Sequence, residues 1–563
     1  MRLENSVAVI KYLIASILVG VILGIGGAFA AQGFRSGIVI ISNYAEKLFG
    51  QDPNFFFYLI TLSVALILVH YSRSLVNGKP FQSVADSIYL AHKSNNETDL
   101  KVGFISTLAA FFSASGGASI GQYGPLVHFG TTLGAWLKKT VPFNFTPDLY
   151  IGAGVAASIS SGFGAPLAGL IFAHEAILRH YSHKSILAIA TASGISYAVS
   201  TGIWGDTNII NVSSENFNLL LMLVISFLAG PIFGLIAIIY MKSLLLFANL
   251  ANSPKVKVFY KYSFCILSLS IIGHFMPEVM GLGTETVSGI LYSSYTLIFL
   301  VIILLGKIIA TSISLNFGFF GGVFSPAILV GAAAGAVVSA FLVKLGIFED
   351  FQQALVISGI AAVAGAVIGA PICMVIIVLE LTNSYAYALA SLVGLAISVG
   401  YVQVRFGSSY FDVQLLNRGI DISDGRTGLF MTETDILRFA DPNFNTIKES
   451  ETVADAISLM SKIDQSELIV VNQSGEFVGK TNSLSLFNKQ GPLSSVDVID
   501  KDCVFIKHDA SVQSAMEIAS DFVGEIIPIV QTDQNKAVAI ITEGAIFQAY
   551  LSKQSQTVEM EKR

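Results

Sequence analysis

A short motif of glycine, an aromatic residue and proline occurs twice in this chain, each time at the start of an apolar segment. The first copy is Gly121-Gln122-Tyr123-Gly124-Pro125, and the second is Gly322-Val323-Phe324-Ser325-Pro326. After each proline, glycine follows at the fifth and ninth positions and alanine at the tenth. An ordered match at a spacing of about 200 residues indicates an internal duplication, so the fold should contain two similar halves.

A second pair of motifs supports the same duplication. Gly164-Ala165-Pro166 leads to Glu175, and Gly369-Ala370-Pro371 leads to Glu380, with the same number of residues between proline and glutamate. The two pairs are separated by nearly the same distance along the chain. We therefore predict one repeat over residues 56–203 and a second over residues 217–404.

The composition predicts that most of the chain lies in a membrane. Of 563 residues, 53% are hydrophobic and only 12% are charged, whereas soluble proteins carry roughly 25% charged residues. The apolar run from Val7 to Ala31 is too long for a signal peptide, so we predict a spanning helix there. The net charge of −6 gives no reason to expect nucleic acid as a partner. The three cysteines are far apart, so we expect neither a disulfide framework nor a bound metal.

Many of the apolar segments are shorter than the roughly 20 residues that cross a bilayer, and glycine or proline interrupts several of them. Broken helices are tolerated in a membrane only where they line a cavity or are buried in protein. Short interrupted segments at matching places in two halves are typical of inverted repeats with a binding site between them near the midplane. Helix N-termini at such a site favour an anion, because free N–H groups and the positive end of the helix dipole face it.

The composition changes near the end of the membrane region, which we place at residues 1–425. Residues 426–563 carry charges, polar turns and alternating strands, and they contain their own repeat. A helix capped by Thr452 precedes a hairpin over 468–480, and the same order of elements returns from Ser511 onward. We predict two tandem α/β modules, over 431–490 and 497–553.

These motifs resemble those of the CLC family of chloride channels and proton-coupled chloride transporters, and the tail resembles a pair of cystathionine-β-synthase (CBS) domains. In that family, three signatures meet at the anion: Gly-Ser-Gly-Ile-Pro, Gly-Arg/Lys-Glu-Gly-Pro and Gly-x-Phe-x-Pro. Here they read Val76-Asn77-Gly78-Lys79-Pro80, Gly121–Pro125 and Gly322–Pro326, and the place of a late pore tyrosine is taken by Phe411. The resemblance assigns anion-binding or pore positions to Asn77, Gly78, Tyr123, Gly124, Val323, Phe324 and Phe411.

The fold that the resemblance implies is an α-helical polytopic membrane protein with two inverted repeats and broken helices, followed by a cytosolic CBS pair. It also implies a homodimer with one pore per subunit. The expected location is the plasma (inner) membrane, with both termini in the cytoplasm.

The departures from the family pattern bear on function. Tyr123 stands where the family has its gating glutamate, and Ala176 stands where the transporters have an internal proton-relay glutamate. A tyrosine phenol ionises only at about pH 10, so it cannot exchange protons at neutral pH. We therefore expect anion flux that is not coupled to protons and depends little on pH between about 5 and 8. Asn77 in place of a serine offers a carboxamide, which favours a planar oxyanion such as nitrate or bicarbonate.

Three further residues are candidates next to the pore: Gln122, His128 and Glu175. His128 has an alternative role as a hydrogen-bonded helix residue. Glu175 and Glu380 lie in apolar helices, where ionisable residues are functional candidates. Their symmetric positions argue equally for a structural role, in which each satisfies backbone groups or a neighbouring charge within its own half.

In CBS pairs that bind adenine nucleotides, a Ser/Thr is followed three residues later by an Asp that holds the ribose. Here Thr481 is followed by Leu484, and Thr542 by Ala545. We therefore expect weak or no nucleotide binding, no other cofactor, and a structural or dimerising role for the pair.

The sequence favours a passive anion channel or uniporter for chloride or for a small oxyanion such as bicarbonate or nitrate. One alternative is an anion transporter coupled to another ion such as Na⁺. Another is a membrane sensor or enzyme that does not conduct, although the helices show no spacing typical of a catalytic site, and we expect no enzymatic activity.

Overall fold

The computed structural model describes the whole chain except residues 1, 50–53, 94–97, 144, 182, 206–216, 254–256, 293–294, 347–350, 424 and 563. The chain divides into two compact units, Met1–Gly419 and Ile420–Arg563. The division falls a few residues before the boundary that the composition suggested.

In the described residues of the first unit, the regular secondary structure is helical apart from one isolated bridge. Eight of the helices described are long and apolar enough to cross a membrane, which supports the predicted multi-pass architecture. The helices are α1 (Arg2–Phe49), α2 (Phe55–Leu75), α3 (Val84–His92), α4 (Leu100–Ser115), α5 (Tyr123–Thr140), α6 (Pro147–Phe163), α7 (Pro166–Phe172), α8 (Ile186–Trp204), α9 (Leu219–Ala251), α10 (Val258–Phe275), α11 (Thr284–Leu291), α12 (Leu297–Phe317), α13 (Phe324–Lys344), α14 (Gln352–Ile368), α15 (Pro371–Thr382), α16 (Tyr385–Arg405) and α17 (Tyr410–Leu416).

The repeated Gly-Ala-Pro motifs break a helix in each half. Gly164 directly follows the last residue of α6 and Gly369 that of α14, and both glycines adopt the left-handed backbone conformation, with φ of 71° and 78°. Glycine adopts this conformation without a steric penalty, and proline two residues later favours the first turn of a new helix. The chain thus turns at one residue and starts α7 or α15 directly afterwards. A π-helix, Ala173–Leu178, continues α7.

The two copies of the glycine–aromatic–proline motif meet each other. The N–H of Gly121 donates to the carbonyl of Gly322 at 2.7 Å, and the N–H of Gly322 donates back to Gly121 at 2.8 Å. This antiparallel bridge joins the chain just before α5 to the chain just before α13. The two halves therefore bring their equivalent helix N-termini to one place, as the duplication predicts.

Equivalent glycines also pack equivalent helices. A Cβ atom added to Gly130 of α5 would clash with the carbonyl of Gly154 on α6, and one added to Gly331 of α13 would clash with the carbonyl of Gly359 on α14. Small residues let membrane helices approach this closely. The repeated glycines after each motif thus set the same α5–α6 and α13–α14 packing in both halves.

The second unit consists of two α/β modules. Each has a three-stranded sheet with one parallel and one antiparallel pairing, in the orders β1-β2-β3 and β4-β5-β6. Its elements are α18 (Gly425–Glu433), β1 (Thr446–Lys448), α19 (Val453–Ile463), β2 (Glu467–Val471), β3 (Phe477–Asn482), α20 (Ser483–Leu486), β4 (Ile506–Lys507), α21 (Val512–Ala519), β5 (Ile527–Gln531), β6 (Lys536–Ile541) and α22 (Glu543–Lys562).

The predicted cap at Thr452 is confirmed, because Thr452 and Asp455 form a capping box at the start of α19. Each module has its own apolar core, and a smaller cluster around Ile469 and Ile526 joins them. The carboxylate of Glu467 crosses between the modules. It accepts hydrogen bonds from Lys480 at 2.8 Å and from the N–H groups of Glu525 and Ile526 at 3.0 Å.

Candidate functional site

Four helices begin at one cavity of about 140 Å³ in the membrane unit, which we call the site cavity. The first turns of α3, α5, α13 and α17 contribute to its wall, and both halves of the chain are represented. The first N–H groups of a helix have no partner within the helix, and the helix dipole places partial positive charge there. Capping boxes occupy the starts of α3 and α17, whereas the starts of α5 and α13 have no side-chain cap. The uncapped ends of these two equivalent helices make the cavity suited to an anion. Its lining residues include Ser83, Val84, Gly124, Pro125, Gly322, Val323, Tyr410, Phe411 and Arg418.

The first signature assigned from the sequence does not reach this cavity. Asn77 and Gly78 lie in an exposed turn after α2, where both adopt positive φ values and bond back to residues 73–74. The residue at the cavity is Ser83, which caps α3 in a capping box with Asp86. Asn77 and Gly78 therefore do not line this cavity, and the serine that does is Ser83.

The late aromatic pair at the start of α17 lies in the wall. Phe411 and its neighbour Tyr410 are both buried, and both line the cavity. The hydroxyl of Tyr410 accepts a hydrogen bond from Gln414 at 3.2 Å. A tyrosine is thus present at the cavity, one residue before the position assigned from the sequence.

A cation, Arg418, lines the cavity at the same end. Its guanidinium donates to Asp86 Oδ1 at 2.8 Å, and Asp86 Oδ2 accepts from the backbone N–H of Ser83 at 2.7 Å. Arg418 is thus tied to the first turn of α3. No motif in the sequence marks Arg418, so its place in the wall is visible only in the fold.

The backbone carbonyl of Val323, a residue of the cavity wall, accepts a hydrogen bond from a buried tyrosine. The hydroxyl of Tyr240, a buried residue of α9, lies 3.3 Å from the carbonyl oxygen of Val323 and donates to it. A carbonyl oxygen next to an anion is repulsive, so this bond reduces its effect.

Beyond the site cavity, a cluster of aromatic side chains closes the space between the two halves. The ring of Tyr123 is 2% exposed and stacks on Phe163, with ring centroids 3.7 Å apart. The ring of Phe324 contacts both, at 5.4 Å from Tyr123 and 5.1 Å from Phe163. Phe172 lies 6.2 Å from Phe324. Tyr123 and Phe324, equivalent residues of the two repeats, therefore meet in one constriction.

On the far side of this constriction lies an apolar void of about 30 Å³, lined in part by Tyr123, Phe163 and residues 282–284. Residues 282–284 also line a larger space of about 510 Å³, which we call the opposite cavity. Because Tyr123 lines the void and its neighbour Gly124 lines the site cavity, we infer a path from the site cavity past the constriction and the void to the opposite cavity.

From the helices that run between them, we infer that the two cavities face opposite sides of the membrane. Phe57 and Tyr58, at the start of α2, line the opposite cavity, whereas Phe81, shortly after its end, lines the site cavity. α2 has 21 residues, which is about 30 Å of helix and matches the hydrocarbon thickness of a bilayer. α12 runs the same way, from Tyr295 at the opposite cavity to Asn316 at the site cavity.

No aspartate or glutamate is among the described residues that line the site cavity or the void. The position of the internal proton relay, Ala176, is a buried residue of the π-helix. Among the described residues, no carboxylate side chain therefore lines the spaces on either side of the constriction.

Glu175 and Glu380 cap helices of the opposite repeat. The carboxylate of Glu175 accepts from the N–H groups of Ile372 and Cys373 at the start of α15, at 2.9 and 2.7 Å. The carboxylate of Glu380 accepts from Leu167 and Ala168 at the start of α7, at 2.7 and 2.8 Å. The structural role expected for the pair is thus supported, but the expectation that each acts within its own half was wrong.

The remaining candidates next to the pore hold the site together. His128 lies one turn into α5, 2.8 Å from Ser87 of α3 through Nδ1 and 3.2 Å from Gln82 through Nε2. The N–H of Gln122 donates to the hydroxyl of Ser325 at 3.3 Å, which is a further link between the repeats. Neither His128 nor Gln122 lines the site cavity.

In the second unit, the residues at the positions of the ribose-binding Asp are apolar. The side chain of Leu484 is 86% exposed, whereas Ala545 packs partly against the core of its module. The hydroxyl of Thr481 donates to the carbonyl of Val498 at 2.9 Å, so it is already used within the module.

Comparison with known proteins gives the same division of the chain. A family model described as voltage gated chloride channel matches residues 60–403, and the CBS domain model matches residues 432–479 and 495–552. The chain is 23% identical to chloride channel protein CLC-f of Arabidopsis thaliana, over 97% of this chain and 70% of the relative. It is 25% identical to the H⁺/Cl⁻ exchange transporter ClcA of Vibrio parahaemolyticus, over 57% of this chain and 69% of the relative.

The structure of a eukaryotic CLC transporter superposes on this chain with a TM-score of 0.62 at 17% identity. The match covers 95% of this chain and 98% of the other. At this level of identity the likeness establishes a common fold.

Proposed function

Because the chain belongs to the family of voltage-gated chloride channels and their relatives, the CLC family, we propose that it is a passive anion channel or uniporter. It carries a small anion down its own gradient without exchanging protons. It has no enzymatic activity in this proposal, and the anion, the lipid bilayer and a second copy of the chain are its partners.

The observation that carries the proposal is the constriction. A proton-exchanging gate needs a group that is charged in one state and neutral in the other at physiological pH. Tyr123 fills the constriction with a neutral ring stacked on Phe163, and no carboxylate lines the adjoining spaces among the described residues. Motion of this ring opens or narrows the path without changing its charge.

Similarity to proton exchangers does not weigh against this proposal. ClcA, by its name, exchanges protons for chloride, and the family's exchangers use glutamates at the positions of Tyr123 and Ala176. Both positions are occupied here by groups that cannot carry a proton at neutral pH. The shared fold supplies the anion path, and the substituted residues remove the proton path.

Chloride is the favoured substrate within the proposal. The argument for a planar oxyanion rested on Asn77, which lies outside the site cavity, and the cavity presents the hydroxyl-bearing Ser83 instead. Helix N-termini and Arg418 accept any small anion, so nitrate and bicarbonate are secondary candidates. Flux of all three anions from the same proteoliposomes would rank them.

The proposal is tested by reversal potentials of the reconstituted protein. With a chloride gradient, the reversal potential should follow chloride alone, and imposed gradients of pH or sodium should not move it. A shift with pH would show proton exchange, and a shift with sodium would favour the coupled alternative.

We further propose a homodimer in the plasma membrane with both termini in the cytoplasm. The support for one pore per subunit is that one chain supplies both halves of the site cavity. Orientation is best tested with a cysteine introduced at Val523, whose side chain is 95% exposed. Native Cys503 is unsuitable, because burial raises the pKa of its thiol to about 11. Labelling of Val523→Cys only from outside the cell would contradict this orientation.

A further inference from the structure

A single lysine is buried at the middle of the membrane unit. Lys307 is the central residue of α12, and its side chain is 0% exposed. Its Nζ donates to the carbonyls of Val279 and Gly281, at 3.0 and 2.9 Å. In the described part of the chain, no carboxylate lies within ion-pairing distance of it. It is the only lysine or arginine buried in the described residues of this unit.

The segment that Lys307 holds forms the wall of the path. Leu282, Gly283 and Thr284, directly after the two carbonyls, line both the void and the opposite cavity. A Cβ built on Gly283 would lie 3.6 Å from Nζ. The ammonium therefore lies just behind the wall of the dry part of the path, next to the constriction of Tyr123 rather than at the site cavity.

The charge of Lys307 has its largest effect on an ion that occupies the void. The opposite cavity is lined by Glu46, Glu278 and Glu285, but it is wide and open, so water and salt screen these carboxylates. The void has about the volume of one water molecule, so an ion there loses most of its hydration. Burial without a carboxylate partner opposes protonation of Lys307, and an anion in the void favours it. In such a place the protonated ammonium acts at low dielectric, and its effect on an ion is many times larger than in water.

We propose that Lys307 sets a positive potential in the void and thereby selects anions over cations in the dry part of the path. The inference rests on the path described under the proposed function, but not on that path being uncoupled from protons. A chloride ion in the void and the ammonium behind the wall stabilise each other, so the lysine acts without touching the ion.

A purely structural role is the competing explanation, because Lys307 also fixes the segment 279–281. The hydroxyl of Ser119 donates to the same carbonyl of Val279, at 2.8 Å. Ser119→Ala thus removes a bond from this segment without removing a charge, which makes it a matched structural control. Lys344→Met removes an exposed lysine from the end of α13 and serves as the control for charge.

The test uses the full-length protein in planar bilayers or proteoliposomes. It measures chloride flux at low chloride and the chloride-to-potassium permeability ratio for Lys307→Gln, Lys307→Met and Lys307→Arg. Lys307→Gln keeps N–H donors without the charge, and Lys307→Arg keeps the charge. We expect Lys307→Gln and Lys307→Met to lower the chloride flux and the permeability ratio roughly tenfold. Lys307→Arg and both controls should stay within about twofold of the wild type.

The result that would overturn the inference is a Gln variant with wild-type flux and selectivity. Loss of flux in both Lys307→Met and Ser119→Ala, without any change of the permeability ratio, would equally assign Lys307 a structural role. If Lys307→Met does not fold, the comparison of Lys307→Gln with Lys307→Arg decides alone. Proton-coupled flux in the wild type would overturn the proposed function but leave the comparison among these variants intact.

Discussion

The ring of Tyr123 is held by aromatic contacts, with Phe163 stacked on one face and Phe324 against its edge. If the ring closes the path, Tyr123→Ala should raise chloride efflux from proteoliposomes by at least several-fold, because it empties the constriction. Tyr123→Phe should leave the efflux within about twofold, because it keeps the ring and these contacts.

A different outcome for Tyr123→Phe would assign the function of Tyr123 to its hydroxyl. If Tyr123→Phe lowers flux or loosens selectivity among anions, the hydroxyl is an anion ligand and the ring is not the plug. Phe163→Leu offers a matched control, since it removes the stacking partner and leaves the hydroxyl in place.

The positions of Ser83 and Asn77 relative to the site cavity lead to a second prediction for single residues. Ser83→Ala should change the relative flux of chloride and nitrate, because Ser83 lies in the wall of the site cavity. Asn77→Ala should change neither flux nor selectivity, because Asn77 is exposed in a turn. Selectivity that follows Asn77 and ignores Ser83 would contradict the site described here.

The sequence predicted site residues only where a motif marked them. Tyr123, Phe324 and Phe411 were assigned by their place in a pattern. Asn77 was assigned because Gly78-Lys79-Pro80 imitates the family signature. The signal for Ser83 was present, since Ser83 and Asp86 have the spacing of a capping box at a helix start. The pairing of Arg418 with Asp86 needed the fold.

At the scale of elements, the reciprocal caps link the two repeats. Each carboxylate accepts two N–H groups at the start of a broken helix, where the helix dipole also favours a negative charge. We expect Glu175→Gln and Glu380→Gln each to cost about 1–3 kcal/mol of stability, since a half-buried carboxylate that accepts two N–H groups becomes a neutral amide with one acceptor. Thermal unfolding of the detergent-purified protein would measure this.

The symmetry of the caps sharpens that prediction. The two variants should lower the unfolding temperature by similar amounts, whereas Glu285→Gln, at an exposed position of α11, should leave it unchanged. A variant of normal stability with altered anion flux would show that the glutamate serves transport instead.

The broken helices were predictable, but the partners across the break were not. Glycine followed by proline marks a helix end and a new start in the sequence alone. Nothing in a linear pattern states which helix N-terminus lies within reach of Glu175, because that depends on how the two repeats pack. The same limit explains why the bond between Gly121 and Gly322 appears only in the fold.

At the scale of the whole molecule, the CBS pair lacks the Asp of nucleotide-binding examples. Calorimetry on the full-length protein should detect no binding of ATP or AMP at low micromolar concentrations. The double variant Leu484→Asp, Ala545→Asp restores the missing carboxylates and should bind more tightly than the wild type. A low micromolar dissociation constant for the unmodified chain would show that other residues replace the Asp.

We propose above that anion transport by this protein is not coupled to proton transport. The most direct measurement is anion uptake into proteoliposomes under an imposed proton gradient, with equal chloride on both sides and the membrane potential clamped to zero. We expect the protein to show no net chloride movement under this proton gradient, and downhill chloride flux once a chloride gradient is added. Sustained uphill chloride movement, after correction for proton leak in protein-free vesicles, would contradict it.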